Sequence, residues 1–260
     1  MKSRKRVLVV SDFHSGHIRG LTHPGFDRDN EPERHRTSWR IRRHVWNWFA
    51  DTTDRLGRVD ILIVNGDAID GRGEASGGTE LIYPDRNDQV EMAVAAIKHI
   101  GAGKILMSYG TPYHTGKFED WEDQIAREVK AEKIGGEDSI DINGTIFNYR
   151  HHVGRSSVPH GRHTAVSREK LWNTLWAERG EYPRADIIIR SHVHYFNYAG
   201  GSDWLAMTTP ALQGYGSKYG NRKVTGTVDI GMVVFNVAKN GDYAWKPLLL
   251  RLPFQPPISL

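Results

Sequence analysis

Val7-Leu8-Val9-Val10-Ser11-Asp12-Phe13-His14 decides how this sequence is read. Four consecutive aliphatics, too few for a helix and too apolar for a surface, predict a buried central strand running into a carboxylate and an imidazole. Open α/β sheets place their chemistry at strand ends. Two residues apart on an extended chain, Asp12 and His14 project to the same side, where an oxygen and a nitrogen can grip one cation. A turn-capping aspartate beside an ordinary loop histidine explains the pair equally well. The choice depends on whether other strands end the same way.

Working outward, the pattern repeats. Ile61 to Val64 is a second aliphatic run, closed by Asn65-Gly66-Asp67, with Asp70 three residues on, where it can orient a neighbouring group. Gly66 permits close backbone approach to whatever Asp67 binds. Lys104 to Tyr109 is a third strand, followed by Gly110-Thr111-Pro112-Tyr113-His114. Helices are expected over Trp39–Leu56, Asn87–Ile100 and Phe118–Lys133 from their apolar spacing, so the first half reads βαβαβα and predicts a parallel, right-handed wound sheet. The helix at 39–56 interleaves Arg36, Arg40, Arg42 and Arg43 with Trp39, Trp46 and Trp48. That interleaving suits stacking on nucleic acid or, more simply, a solvated charged face over core tryptophans.

The second half opens with two strands around Asn143-Gly144, a strong hairpin signal, ending at His151-His152 and a basic loop carrying Arg155 and Arg162. A helix over Ala165–Arg179 is expected to turn Leu171, Leu175 and Trp172 or Trp176 toward the core. Asp186 to Ser191 is a buried strand ending in His192-Val193-His194. Short strands within Val224–Val237 and Tyr243–Leu250 predict a second, more antiparallel sheet packed on the first. The segment Pro253 to Leu260 is expected to be a surface strap or a frayed end.

Composition narrows the chemistry. The 260 residues suit one large α/β domain spanning 1–260, and no stretch approaches the length of an apolar membrane helix. The basic N-terminal lead-in lacks the apolar core of a signal peptide, so a soluble, cytoplasmic protein is expected. With no cysteine, any metal is held by imidazole, carboxylate and amide groups. The formal charge of +4 suits a phosphorylated or polyanionic partner, and the 13 histidines are the more unusual number.

Five predicted strands thus end at Asp12/His14, Asp67, His114, His151/His152 and His192/His194. Gathered at one rim, two carboxylates and at least four imidazoles are too many for one tetrahedral zinc. They suit two divalent ions sharing Asp67. The order of these motifs resembles the calcineurin-like metallophosphoesterases, whose pattern is D-x-H, G-D-x-x-D, G-N-H-D/E, an isolated H, and G-H-x-H. Here it runs through Asp12-Phe13-His14, Gly66-Asp67-Ala68-Ile69-Asp70, Gly110 to His114, His151 or His152, and Ser191-His192-Val193-His194. The resemblance implies two packed mixed sheets flanked by helices in a four-layer α/β/β/α sandwich. For the two divalent ions, the mixed N/O donors suit Mn²⁺ first, with Fe, Ni²⁺ or Zn²⁺ also fitting. By the resemblance, Asp12, His14, Asp67 and His194 hold one ion, and Asp67, His192 and one of His151 and His152 the other. The third motif departs from the family: Thr111 stands where the asparagine ligand falls, and the histidine is displaced to His114. His114 is then either the general acid, oriented by Asp70, or a ligand.

The expected activity is phosphoester hydrolysis by a metal-activated water, with Thr111, Arg155 and Arg162 as substrate contacts. A phosphodiesterase or nuclease acting on DNA or RNA comes first, on the basic balance and the Arg/Trp helix. A phosphomonoesterase comes second, and an inactive metal-binding interaction module third, on the strength of Thr111.

Overall fold

A computed structural model describes residues 3–27, 33–223 and 226–252, so the expectation for Pro253 to Leu260 lies outside the described residues. In chain order the elements are β1 (Lys5–Val10), α1 (Arg36–Leu56), β2 (Ile61–Asn65), α2 (Arg86–Ile100), β3 (Lys104–Ser108), α3 (Pro112–Thr115) and α4 (Trp121–Glu128). There follow β4 (Lys133–Gly135), β5 (Asp138–Ile142), β6 (Thr145–Tyr149), α5 (Gly161–Glu178), β7 (Ile187–Arg190), β8 (Asn197–Gly200) and β9 (Leu205–Thr208). The last are α6 (Lys218–Lys223), β10 (Ile230–Val237) and β11 (Tyr243–Leu250).

The opening aliphatics sit where a central strand should. β1 pairs in parallel with β2 and antiparallel with β10, in a six-stranded sheet of order β11-β10-β1-β2-β3-β4. Because successive strand residues face opposite sides, Leu8 and Val10 join Val45, Phe49, Leu62 and Val90 beneath the helices. Val7 and Val9 face the other way, into a second core with Ile63, Phe147, Ile187, Ile189 and Phe235. That second core is the space between the two sheets. The other sheet, of order β5-β6-β7-β9-β8, is covered on its outer face by α5 through Val166, Ala185, Ile188 and Ala206. Helices, sheet, sheet and helix make the four-layer sandwich expected from the sequence.

Four expectations change. The strands from 230 onward return to the first sheet, because β10 pairs along nearly all of β1, instead of building the second. The helix expected over Phe118–Lys133 is confined to α4, capped by the Asp120 side chain, and its far end becomes edge strand β4 beside β3. Arg42, placed on the charged face of α1, is fully buried, donating to the Ile18 carbonyl and pairing with Asp27. Trp46 is in the core, and the Trp39 indole donates to Asp27, so packing accounts for these tryptophans.

The fourth change concerns α5. Leu171, Trp172, Leu175 and Trp176, expected to face inward, are 56%, 52%, 46% and 40% exposed. The inward face is instead Ala165 and Val166 with polar Glu169, Lys170 and Asn173. Each polar group has a fixed partner. The Lys170 ammonium donates to the Ala185 carbonyl, and the Asn173 amide donates to the Pro183 carbonyl. Glu169 accepts from both Arg150 and Arg190, at 2.7 Å each.

Candidate metal centre

The strand ends deliver their side chains to one place through an unusual backbone. Among the described residues, seven non-glycine residues have positive φ, and five of them are Asp12, His14, Asp67, His192 and His194. A left-handed conformation costs a residue with a Cβ roughly 1–2 kcal/mol, and such costs gather where a site demands a particular aim. Asp12 and His14 therefore do not reach the cluster from the extended chain expected from the sequence. Beyond β1 both residues are left-handed, held by main-chain bonds from Asp12 N–H to the Gly66 carbonyl and from His14 N–H to the Asp67 carbonyl.

Three overlapping groups of donor atoms result, each within 4.8 Å: Asp12, His14 and His194; His14, Asp67 and His114; and Asp67, His151 and His192. In the first, His14 Nε2 and His194 Nε2 stand 3.1 Å apart, and Asp12 Oδ1 is 3.2 Å from His194 Nε2 and 4.0 Å from His14 Nε2. Ligands about 2.1 Å from a common ion stand roughly 3 Å apart at right angles and about 4 Å apart across it, so these separations fit a shared cation. In the last group His151 Nε2 is 3.0 Å from Asp67 Oδ2. Two buried atoms pointing into the cluster, Asp12 Oδ1 and His151 Nε2, have no hydrogen-bond partner. An all-N/O donor set with buried polar atoms that lack a hydrogen-bond partner fits divalent metal.

Outer contacts set which imidazole nitrogen faces inward. His151 Nδ1 donates to the Asn65 carbonyl at 2.7 Å, and His14 Nδ1 to Asp70 Oδ1 at 3.0 Å, so Nε2 of both rings faces the cluster. His114 Nδ1 donates to the Asp70 carbonyl oxygen at 2.8 Å, whereas the Asp70 carboxylate is 3.7 Å away. Asp70 thus orients His114 through its main chain and His14 through its side chain. Of the adjacent histidines, His151 is buried in the cluster. His152 is exposed and lies against the His192 ring, outside the three groups.

Thr111 lies against the shared carboxylate: its N–H donates to Asp67 Oδ1 at 2.6 Å and its hydroxyl to the same oxygen at 3.0 Å. The two glycines flanking this contact have no room for a Cβ. At Gly66 (φ +79°) it would meet the His151 ring at 2.6 Å, and at Gly110 it would meet Asp67 Oδ1 at 2.2 Å. Arg155 and Arg162 are not brought into the cleft. Arg155 is exposed, and Arg162 covers the Tyr195 ring at 4.0 Å while donating to Thr227.

Sequence reasoning missed Glu122. Within the helix expected over Phe118–Lys133, it is fully buried beneath the cluster, accepting the N–H groups of Ala68 (3.0 Å) and Gly110 (2.6 Å). It ties the loop after Asp67 to the loop carrying Thr111. Its apolar environment pushes its carboxyl up to about 8, with Asp67 adding to the rise. Only an acid two residues after a helix cap, beside Trp121, hints at this in the sequence.

In the metal-free protein the cluster is strongly polarised. Burial works against the Asp12 carboxylate, yet His194 and His151 hold it down to about 2. His151 resists burial because Asp67 and Asp12 face it, and rises to about 10. His14 and His192 are each pushed down to about 4, by burial first and by a neighbouring histidine second.

No protein-family model and no curated protein matches the chain. Solved structures do. An archaeal phosphodiesterase is 14% identical with a TM-score of 0.46, over 94% of this chain and 99% of that one. The phosphoesterase YfcE from E. coli is 11% identical with a TM-score of 0.43, over 93% and 98%. Wild-type Vps29 from Entamoeba histolytica, complexed with Zn²⁺, is 13% identical with a TM-score of 0.40, over 94% and 98%. The layered fold and the order of its strand-end motifs resemble the calcineurin-like metallophosphoesterases. With every TM-score here below 0.5, the chemistry of the site rests on its own residues.

Proposed function

We propose that this chain is a dinuclear metal-dependent phosphodiesterase whose substrate class is nucleic acid. The carrying observation is the convergence of Asp12, His14, Asp67, His151, His192 and His194, with two buried polar atoms in the cluster, Asp12 Oδ1 and His151 Nε2, left without a hydrogen-bond partner. Asp12, His14 and His194 would hold one ion and His151 and His192 the other, with Asp67 between them. Mn²⁺ suits this N/O set, as do Fe, Ni²⁺ and Zn²⁺. Bound there, divalent ions neutralise the phosphate and bring the pKa of a water into a useful range.

The chain's own groups supply the rest. Asp67, fixed by Thr111, separates the two histidine sets. His114, with Nδ1 committed to the Asp70 carbonyl, is left with Nε2 to give a proton to the departing alkoxide. The cleft over the cluster, about 400 Å³, is lined by Tyr113, Gln213, Ser217 and Tyr219 as well as the site histidines, and by no lysine or arginine among its described lining residues. A monoester carries close to two negative charges at neutral pH and a diester one, so this lining favours the diester. The two tyrosines offer faces on which bases can stack.

The test is hydrolysis with Mn²⁺ of a bis-aryl phosphodiester, an aryl monophosphate, single-stranded DNA, duplex DNA and RNA, alongside Asp67→Asn. Diester and nucleic-acid turnover, lost in Asp67→Asn, is expected. Turnover of the monoester alone would replace the substrate class, and silence with every divalent metal would leave a metal-binding interaction module.

A further inference from the structure

The strand ends that carry His151 and His192 are clamped from behind. β6 and β7 run in parallel up to the pair Tyr149 and Ile189, and the next residues on the two chains are Arg150 and Arg190. Two cations side by side on neighbouring strands repel. Here two carboxylates bridge them. Glu169 Oε2, on the inner face of α5, accepts from Arg150 Nη2 and from Arg190 Nε at 2.7 Å each. Glu137, on the chain crossing from β4 in the first sheet to β5 in the second, accepts from Arg150 Nη1 at 2.8 Å and from Arg190 Nη2 at 3.3 Å. The four side chains close a ring of two positive and two negative charges, with Arg190 and Glu169 buried.

The ring stands where the strand pairing gives out and the metal ligands begin. Arg150 directly precedes His151, and its Nε also donates to the His152 carbonyl at 3.3 Å, so one side chain spans His151. Arg190 stands two residues before His192, which leaves the strand in a left-handed conformation. Between the two ends the Ser191 N–H donates to the His151 carbonyl at 2.8 Å. Fixing the two guanidiniums against each other therefore fixes the offset between the two histidine-bearing turns. The other ligands are anchored differently: His194 through its carbonyl to the Asp229 N–H at 2.9 Å, and Asp12 and His14 through the carbonyls of Gly66 and Asp67. Stability alone does not call for such a ring, because buried ion pairs replaced by apolar groups of similar volume often leave a fold as stable or more so.

We propose that the ring of Glu137, Arg150, Glu169 and Arg190 is a positioning device for the second metal site, holding His151 and His192 at the separation that one ion needs. This role rests on the dinuclear reading of the site and concerns one of its two ions only. None of the four residues belongs to the three donor groups, so the ring acts through the two histidines.

Calorimetric titration of the metal-free full chain with Mn²⁺ is expected to resolve two equivalents, and the one lost in His192→Ala marks the second site. Glu169→Gln keeps the shape of the side chain and removes its charge. It should weaken that equivalent by about 10–100-fold, as loss of an outer partner does, and leave the other unchanged. Because Glu169→Gln leaves two arginines facing one carboxylate, a charge-balanced variant combines Glu169→Leu with Arg190→Met. It should keep the circular dichroism spectrum and the urea midpoint while weakening the same equivalent. Two equivalents of unaltered affinity in both variants would overturn the proposal. So would equal weakening of both equivalents, or an unfolded charge-balanced variant, since the ring would then support the whole fold. Uptake of fewer than two ions by the unsubstituted protein would overturn the dinuclear reading itself, and the ring's role with it.

Discussion

The carboxylate of Asp70 lies 3.0 Å from Nδ1 of His14, and this contact decides which nitrogen of His14 faces the cluster. Without it the ring is free to present either tautomer. Asp70→Ala is therefore expected to weaken metal binding by about 10–100-fold, the usual cost of losing such an orienting partner. Asp70→Asn should recover part of it, since the amide oxygen accepts the same proton. Chelator competition gives the measurement, and unchanged affinity in the alanine variant would rule out the orienting role.

His114 is held by the main-chain oxygen of Asp70, so substitutions of the Asp70 side chain leave that bond in place. His114→Ala is expected to retain the full metal content. It should slow esters of poorly acidic alcohols by about 10²–10⁴-fold while sparing aryl esters, whose leaving groups need no proton. Loss of one ion equivalent on elemental measurement would instead make His114 a ligand.

What could be read in the sequence and what could not divide along physical lines. A buried strand must be apolar throughout, so a carboxylate or imidazole at its end is conspicuous, and Asp12, Asp67, His151, His192 and His194 stood out for that reason. The left-handed backbone at four of these positions was invisible, because nothing in an Asp or His side chain announces it. The partner of β1 was equally hidden: pairing with β10 joins residues more than 220 apart in sequence, and strand patterns carry no address. α5 misled most. Apolar periodicity is read by default as facing a core, and the inward Glu169, Lys170 and Asn173 are tolerable only because Arg150, Arg190 and two main-chain carbonyls meet them.

Gly110 is fixed by contact rather than by dihedral. A Cβ there would come 2.2 Å from Asp67 Oδ1 and 2.3 Å from the Asp67 nitrogen, distances no side chain can share. Gly110→Ala should leave the circular dichroism spectrum intact and lower metal affinity at least as much as Asp70→Ala, because the displaced carboxylate is the one between the two histidine sets. Wild-type affinity in this variant would show that Asp67 is not held where the fold places it.

His151 carries a proton at neutral pH in the metal-free protein, since Asp67 and Asp12 raise it to about 10. A metal can use Nε2 only after that proton leaves. Loading the protein at pH 7 should therefore release about one proton from this residue. Calorimetric titration in two buffers of different ionisation enthalpy counts it. Affinity should also rise with pH up to the region of that pKa, and heats identical in the two buffers would contradict the assignment.

Acid should unfold the metal-free protein through His14 and His192. Both are held near 4 by burial, whereas in the unfolded chain each titrates near 6.5. Between those values the unfolded state binds more protons than the native one, so stability falls as pH drops from about 6.5 toward 4. The loss is on the order of 3 kcal/mol for each histidine at the lower limit. His151 acts in the opposite sense: its contribution is fully present below about 6.5 and fades only as pH rises through about 10. Urea midpoints of metal-free protein at pH 7.5, 6 and 4.5 should therefore decline on the acid side. The decline should be shallower in His192→Asn, which removes one of the two groups that must charge. An equally steep decline in that variant would place the acid sensitivity elsewhere in the fold.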